Sequence, residues 1–135
     1  MTNMLVHLLE DDPLQAELAR RAARSAFKEV RVVHLSTGAD LHAALARETP
    51  TVILMDIRLD NESGLDVLRE LRANERGARL PVVMMTTSSE PSDVEASYAR
   101  GANAYVCKPV DYDAFRTVMR SVLEFWLAFN VRAQP

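Results

Sequence analysis

Residues 52–68, VILMDIRLDNESGLDVL, contain the pattern that most clearly indicates the fold. Four apolar residues are followed at once by Asp56, then by a polar stretch, and then by Ser63-Gly64 and leucines at helical spacing. The apolar run is too short for a helix and has no polar alternation, which favours a strand that is covered on both faces. The segment therefore predicts a buried strand, a loop and a helix that packs back on the strand.

The same alternation recurs along the whole chain. Segments with helical periodicity separate five short apolar runs, which are Met4–Leu9, Val30–Leu35, Val52–Met55, Pro81–Thr86 and Ala104–Cys107. Repeated strand–helix units form right-handed crossovers and a parallel sheet. We predict an α/β fold with a doubly wound five-stranded parallel sheet, built as one domain over residues 1–135, with an extended fifth helix over about 111–129.

The composition argues against a protein that binds nucleic acid or a membrane. Hydrophobic residues make up 48% and charged residues 26% of the 135 residues, and the net charge of −3 lacks the basic excess that a nucleic-acid backbone requires. No apolar run approaches the roughly 20 residues of a membrane span, and the N-terminus lacks the basic region of a signal peptide. The single cysteine, Cys107, excludes an internal disulfide. We therefore predict a cytoplasmic protein.

Polar residues end four of the five predicted strands. They are Glu10-Asp11-Asp12, Asp56, Thr86-Thr87 and Lys108-Pro109. Ligands of such sheets bind beyond the carboxyl ends of the strands, so we expect these side chains to share one site. Clustered carboxylates need a hard cation such as Mg²⁺, and an aspartate beside the cation can accept a phosphoryl group. A lysine and a hydroxyl can then stabilise the phosphoryl oxygens.

Each of these residues has an alternative reading when it is taken alone. Acids before Pro13 can cap a helix, and Asp56 can be a turn residue after a strand. Thr86 is an ordinary strand residue and Lys108 an ordinary surface lysine. Their joint occurrence at four strand ends is what favours the functional reading.

The ordered segments LLEDDP, VILMDIRLDNESGLDVL, PVVMMTTSS and GANAYVCKPV resemble response-regulator receiver domains of two-component systems over nearly the whole chain. The resemblance implies a flavodoxin-like receiver fold and a protein that accepts a phosphoryl group from a sensor histidine kinase and signals through protein contacts. It implies no enzyme in the usual sense, because at most the protein catalyses its own phosphorylation and dephosphorylation. The implied roles are Asp56 as phosphoacceptor, Lys108 and Thr86 at the phosphoryl group, and Glu10, Asp11, Asp56 and the Arg58 backbone carbonyl at Mg²⁺ (or Mn²⁺).

The resemblance also implies a conformational switch beside this site. Tyr105 would swing inward as the Thr86 hydroxyl moves to the phosphoryl group; the alternative reading of Tyr105 is a half-buried strand aromatic. The peptide bond between Lys108 and Pro109 is expected to be cis. Two residues depart from the family pattern: Asp60 stands where a proline is usual, and Arg58 is bulkier than usual and can gate access to the site.

The end of the fifth helix is unusually apolar. Its residues 123–127, LEFWL, resemble small stand-alone receivers that partner phytochrome-type histidine kinases. We expect one stripe to face the sheet, formed by Phe115, Val118, Val122, Phe125 and Phe129. Leu123, Trp126 and Leu127 would then form a second stripe, which either folds back on the domain or, as we predict, forms a homodimer interface.

Two other classes of protein compete with this reading. A haloacid-dehalogenase-type phosphatase also uses an aspartate at a strand end, but it needs a second acid at the position of Arg58. A receiver fold that has lost phosphorylation would act only as a docking module, whereas all the reactive groups are present here.

Overall fold

The computed structural model describes residues 4–133. Strands and helices alternate along them, as the sequence predicts. They are β1 (Leu5–Leu9), α1 (Pro13–Ala26), β2 (Arg31–Leu35), α2 (Gly38–Arg47), β3 (Val52–Met55), α3 (Gly64–Ala73), β4 (Val82–Thr86), α4 (Pro91–Ala99), β5 (Ala104–Cys107) and α5 (Tyr112–Leu123). A π-helical segment, Glu124–Phe129, continues α5. No helix within residues 4–133 is long and apolar enough to span a bilayer.

The five strands form one parallel sheet in the order β2-β1-β3-β4-β5. The predicted fold class is therefore confirmed. The chain adds β2 on one side of β1 and the later strands on the other side, so the order reverses between β1 and β3. The carboxyl ends of these two strands mark the crevice where such sheets bind ligands.

Two helical layers cover the sheet, and this explains the uninterrupted apolar runs. Val52 and Leu54 of β3 face the layer that contains α1 and α5, whereas Ile53 and Met55 face α2 and α3. Each strand residue of β3 is thus buried, on whichever side its side chain points.

Polar side chains cap four of the helices at their N-termini. Asp12 Oδ1 accepts from Leu14 N at 2.9 Å, and Thr37, Ser63 and Asp111 cap α2, α3 and α5 in the same way. For Asp12 the capping role is therefore the one that the structure shows.

The end of α5 faces the sheet with a different side from the one that the sequence analysis predicted. Leu123 and Leu127 are 0% and 5% exposed and continue a core row that begins with Phe115 and Met119, whereas Phe125 and Phe129 are 48% and 69% exposed. Trp126 is half-buried against this core. The prediction that Leu123 and Leu127 form an intermolecular interface is wrong.

Two physical features explain the difference. The facing side of α1 is made of alanines (Ala16, Ala19, Ala22 and Ala23), which leave room for the large side chains of α5. A spacing of four residues drifts by about 40° per step in an α-helix. The i→i+5 bonds of the π-helical segment, such as Asn130 N to Phe125 O at 2.6 Å, widen the last turn and keep Leu127 on the core side.

Candidate functional site

The carboxyl edge of the sheet brings three charged side chains into contact. Lys108 follows β5, and its Nζ donates to Glu10 Oε1 at 2.8 Å and to Asp56 Oδ2 at 3.3 Å. The side chains of Lys108, Glu10 and Asp56 are only 12%, 5% and 16% exposed. They are far apart in sequence, and the parallel sheet alone places the ends of β1, β3 and β5 together.

These buried charged groups shift one another's pKa values. Burial alone would lower the pKa of Lys108, but the hydrogen bond with Glu10 and the charge of Asp56 outweigh it, so this pKa is raised. Burial also raises the pKa of Glu10, although the hydrogen bond from Lys108 acts in the opposite direction. Lys108 is therefore an ammonium at neutral pH, and it supplies a positive charge beside the Asp56 carboxylate.

The main chain fixes the position of Asp56. Its N–H donates to Leu9 O at 3.2 Å, and its Oδ1 accepts from Arg58 N at 3.3 Å. A Cβ on Gly64, the first residue of α3, would lie 2.0 Å from the carbonyl oxygen of Asp56. Only a glycine allows α3 to begin this close to the end of β3, and the approach holds Asp56 at the mouth of the crevice.

Asp11 contacts Asp60, the residue that stands where the family pattern has a proline. The carboxyl groups of Asp11 and Asp60 share a hydrogen bond. Burial alone would raise the pKa of Asp11, but the hydrogen bonds with Asp60 and Glu10 outweigh it and the pKa is lowered. The same bond with Asp11 raises the pKa of Asp60.

The oxygen donors at this edge have the chemistry that a hard cation requires. Glu10, Asp11, Asp56 and the Arg58 carbonyl offer only oxygen, which Mg²⁺ and Mn²⁺ prefer. Within residues 4–133, no three His, Cys, Asp or Glu side chains are arranged as a ready metal site. The carboxylates contact other side chains instead. Glu10 and Asp56 accept from Lys108, and Asp11 shares a hydrogen bond with Asp60. Mg²⁺ needs only one or two carboxylates and keeps several waters, so the donor set fits the ion without a preformed cage.

Thr86 ends β4 beside this group, with its hydroxyl turned toward its own loop. The residue is 1% exposed, and its Oγ1 accepts a long hydrogen bond from Ser88 N at 3.5 Å. Its carbonyl oxygen accepts from Lys108 N at 2.7 Å, which ties the ends of β4 and β5 together. The structure therefore places Thr86 at the predicted edge, where its hydroxyl bonds Ser88.

Tyr105 is joined to the same loop through a residue that the sequence analysis missed. Its hydroxyl donates to Ser88 O at 2.8 Å, and burial raises its pKa. Ser88 Oγ also donates to Asp93 Oδ2 on α4 at 2.5 Å. Ser88 thus links Thr86, Tyr105 and α4. No local pattern in a polar loop such as TTSSE distinguishes this serine from its neighbours.

The predicted cis bond between Lys108 and Pro109 is not found. The peptide bonds described in residues 4–133 include no cis bond. The trans form of such a bond is favoured by about 0.5–1 kcal/mol, and with it Lys108 already reaches Thr86 through its main chain and both carboxylates through its ammonium group. The prediction of a cis bond is corrected accordingly.

Comparison with known proteins gives the family. The model of the response regulator receiver domain matches residues 6–120. This chain belongs to the response regulator receiver domain family. The receiver domain thus covers most of the chain, and the motifs quoted above lie inside it or adjoin it. Membership of this family leaves the haloacid-dehalogenase reading without support.

Individual relatives of this receiver domain match over nearly its whole length. The probable methanogenesis regulatory protein FilR2 of Methanothrix harundinacea (strain 6Ac) is 30% identical over 137 residues, which cover 97% of this chain and 88% of that protein. The crystal structure of the phosphorylated cyanobacterial phytochrome response regulator RcpA superposes with a TM-score of 0.87 at 26% identity, over 96% of this chain and 97% of that one.

A second solved structure contains a metal ion. The Mn²⁺-bound form of response regulator Rcp1, a protein of Synechocystis sp. (strain ATCC 27184 / PCC 6803 / Kazusa), superposes with a TM-score of 0.84 at 26% identity. The match covers 97% of this chain and 99% of that one. The whole receiver fold, including α5, is therefore shared with these two response regulators.

Proposed function

We propose that this protein is a single-domain response regulator that receives a phosphoryl group on Asp56 from a sensor histidine kinase. The observation that carries the proposal is the contact of the Lys108 ammonium with Asp56 and Glu10 at the carboxyl edge of a receiver-family sheet. Asp56 supplies an oxygen nucleophile, and Lys108 supplies the charge that a phosphoryl group requires.

A divalent cation belongs to this proposal. Asp11, Asp56 and the Arg58 carbonyl would hold Mg²⁺ or Mn²⁺, and Glu10 would accept from a water on the ion. When bound, the ion neutralises charge on the phosphoryl oxygens. The Mn²⁺-bound form of Rcp1 supports this choice, as does the all-oxygen donor set of the chain.

The proposed reaction transfers the phosphoryl group between two proteins. An oxygen of Asp56 forms a bond to phosphorus as the bond between phosphorus and the donor histidine nitrogen breaks. The electron pair of that bond returns to the imidazole, which takes up a proton. Lys108 keeps its charge and pairs with a phosphoryl oxygen. In the protein's own dephosphorylation, a water oxygen bonds to phosphorus as the bond to the Asp56 oxygen breaks, which releases phosphate and restores the carboxylate, so no separate substrate is turned over.

The signal would leave the site through Thr86 and Tyr105. In the structure the Thr86 hydroxyl bonds Ser88 N, and the Ser88 carbonyl holds the Tyr105 hydroxyl. A phosphoryl oxygen that draws the Thr86 hydroxyl toward Asp56 would release Ser88 N and shift the loop that anchors Tyr105. The ring would then change position and alter the surface near α4 and β5.

Phosphorylation of site variants tests the proposal. With acetyl phosphate and Mg²⁺, the parent should gain one phosphoryl group per chain, and Asp56→Asn should gain none. Asp66→Asn, which changes an exposed acid on α3, is the matched control and should label as the parent does. Removal of the cation with a chelator should abolish labelling. Equal labelling of Asp56→Asn and the parent would overturn the assignment.

The proposed kinase partner is of the phytochrome type. The support is the similarity over nearly the whole chain to RcpA, a phytochrome response regulator. Such a kinase should phosphorylate this protein faster than an unrelated histidine kinase does at equal concentrations. Equal rates would contradict the proposal of a phytochrome-type partner. The proposed partners include no nucleic acid and no membrane, and the proposed location is the cytoplasm.

Self-association is a second part of the proposal, and its surface is revised by the structure. Phe125 and Phe129 are exposed on the π-helical segment, next to the half-buried Trp126. An exposed aromatic patch usually marks an interface, and a two-fold axis would bring the patch against its own copy. Sedimentation at micromolar concentration should show a dimer for the parent and a monomer for Phe125→Ala/Phe129→Ala. Val110→Ala, at an exposed apolar site on another loop, is the control. A monomeric parent would defeat this part.

A further inference from the structure

Glu62 joins the loop after β3 to a neighbouring helix. This side chain is half-buried, and its Oε1 accepts from Gly38 N, the first residue of α2, at 3.0 Å. The two residues belong to different strand–helix units. The contact therefore connects the loop that leaves Asp56 with a helix on the same face of the sheet.

The same loop is closed by its own main chain. Arg58 and Ser63 form an antiparallel bridge, and Leu59 N donates to Glu62 O at 3.3 Å. Arg58 N in turn donates to Asp56 Oδ1 at 3.3 Å. A continuous series of hydrogen bonds thus runs from the start of α2 through Glu62 and the turn to the Asp56 carboxylate.

The start of α2 suits a carboxylate at this position. The first N–H groups of a helix have no partner within the helix and carry its positive end, so an anionic acceptor is stabilised there. Thr37 Oγ1 accepts from Asp40 N at 3.0 Å, which leaves Gly38 N for Glu62. A side chain at position 38 would crowd this contact, because a Cβ on Gly38 would lie 2.7 Å from Glu62 Oε1 and 2.9 Å from Val67 Cγ2.

We propose that Glu62 is a positioning residue for the phosphorylation site, because it fixes the loop 57–63 on α2 and so holds the Arg58 carbonyl and the Asp56 carboxylate in place for the cation. The inference rests on the proposed function of Asp56. Glu62 itself touches neither the cation nor the phosphoryl group. Its loss removes no reacting group and instead lets the Arg58 carbonyl move away from the ion. Partners of this indirect kind typically change metal affinity by about 10-fold or more.

Four variants test the proposal in the full chain. Glu62→Ala should weaken Mg²⁺ binding by about 10-fold and slow phosphorylation by acetyl phosphate at low Mg²⁺, while saturating Mg²⁺ restores most of the rate. Glu62→Gln keeps an oxygen acceptor and should behave nearly as the parent. Gly38→Ala breaks the same contact from the other side. Thr37→Ala removes only the cap of α2 and should leave Mg²⁺ affinity unchanged, which separates loop positioning from helix stability.

The comparison of single and double variants decides the mechanism. Glu62→Ala and Gly38→Ala act through one contact, so the double variant should bind Mg²⁺ no more weakly than the weaker single variant. Additive losses, or Mg²⁺ affinity in Glu62→Ala equal to that of the parent, would overturn the proposal. A rate that stays low at saturating Mg²⁺ would do the same. Absence of Mg²⁺ binding and phosphorylation in the parent would instead refute the proposed function, so the two failures are distinguishable.

Discussion

Replacing His7 by leucine is expected to stabilise the fold and to change its response to acid. His7 lies in the middle of β1, next to Val33 of β2 and Ile53 of β3. It is 0% exposed, and neither ring nitrogen has a hydrogen-bond partner within residues 4–133. Burial lowers its pKa from the ordinary 6.5; the charge of Glu48 opposes this effect, and Arg31 and Arg47 add to it. His7 is therefore neutral in the folded protein at neutral pH.

The magnitude follows from these two facts. A buried polar group without a partner costs about 1–3 kcal/mol, which leucine removes; imperfect fit of the new side chain returns up to about 1 kcal/mol. We expect a net gain of about 1–2 kcal/mol in the free energy of unfolding at about pH 7.5. Because the folded pKa is lowered, only the unfolded chain binds a proton just below pH 6.5, so the parent loses stability as the pH falls. The gap between variant and parent should therefore widen as the pH falls below about 6.5.

Urea unfolding of both proteins across this pH range measures the effect. The other titrating groups are common to both chains, so the difference between the two curves isolates His7. His7→Gln is the matched control: it keeps a polar side chain that does not titrate, so its gap to the parent should widen with falling pH as that of His7→Leu does, but without the gain at neutral pH. Parallel curves for the parent and His7→Leu would refute the reasoning, as would a leucine variant that is less stable than the parent at every pH.

Three further predictions follow from contacts in the structure. Lys108→Met leaves Glu10 and Asp56 without their countercharge, so Mg²⁺ titrations should show tighter binding while labelling by acetyl phosphate slows; weaker Mg²⁺ binding would contradict the pairing. Thr86→Ala should still be phosphorylated, but beryllofluoride should no longer shift the Tyr105 ring signals in NMR spectra; an unchanged ring shift would remove Thr86 from the switch. Arg72→Met deletes five hydrogen bonds to the loops around Gly77, Leu80 and Gly101–Asn103, and should lower the unfolding midpoint by roughly 10 °C in calorimetry; a midpoint within a degree or two of the parent would count against this network.

The parallel sheet and the position of the charged edge could be predicted from the sequence because each depends on local patterns. Continuous apolar runs identify strands covered on both faces, and a parallel sheet necessarily gathers the residues that follow its strands. Glu10, Asp56 and Lys108 were therefore found together in the structure as expected. Five strands and five helices were likewise found at the predicted places.

Other features depend on contacts that no local pattern encodes. The side of α5 that faces the sheet is set by the alanines of α1 and by the π-helical segment, so Leu123 and Leu127 were assigned to the wrong surface. Ser88 and Glu62 carry no distinguishing neighbours in sequence, and their roles come from bonds to Tyr105 and Gly38.

Chemical mapping of the phosphorylated protein tests whether the phosphoryl group resides on Asp56. Borohydride reduces an acyl phosphate on aspartate to homoserine, so the parent is treated with acetyl phosphate and Mg²⁺, reduced, digested and sequenced by mass spectrometry. Homoserine is expected at position 56 alone, at a level that falls to background when Mg²⁺ is omitted. Homoserine at position 11 or 60, or none in a protein that has gained phosphate, would contradict the assignment to Asp56.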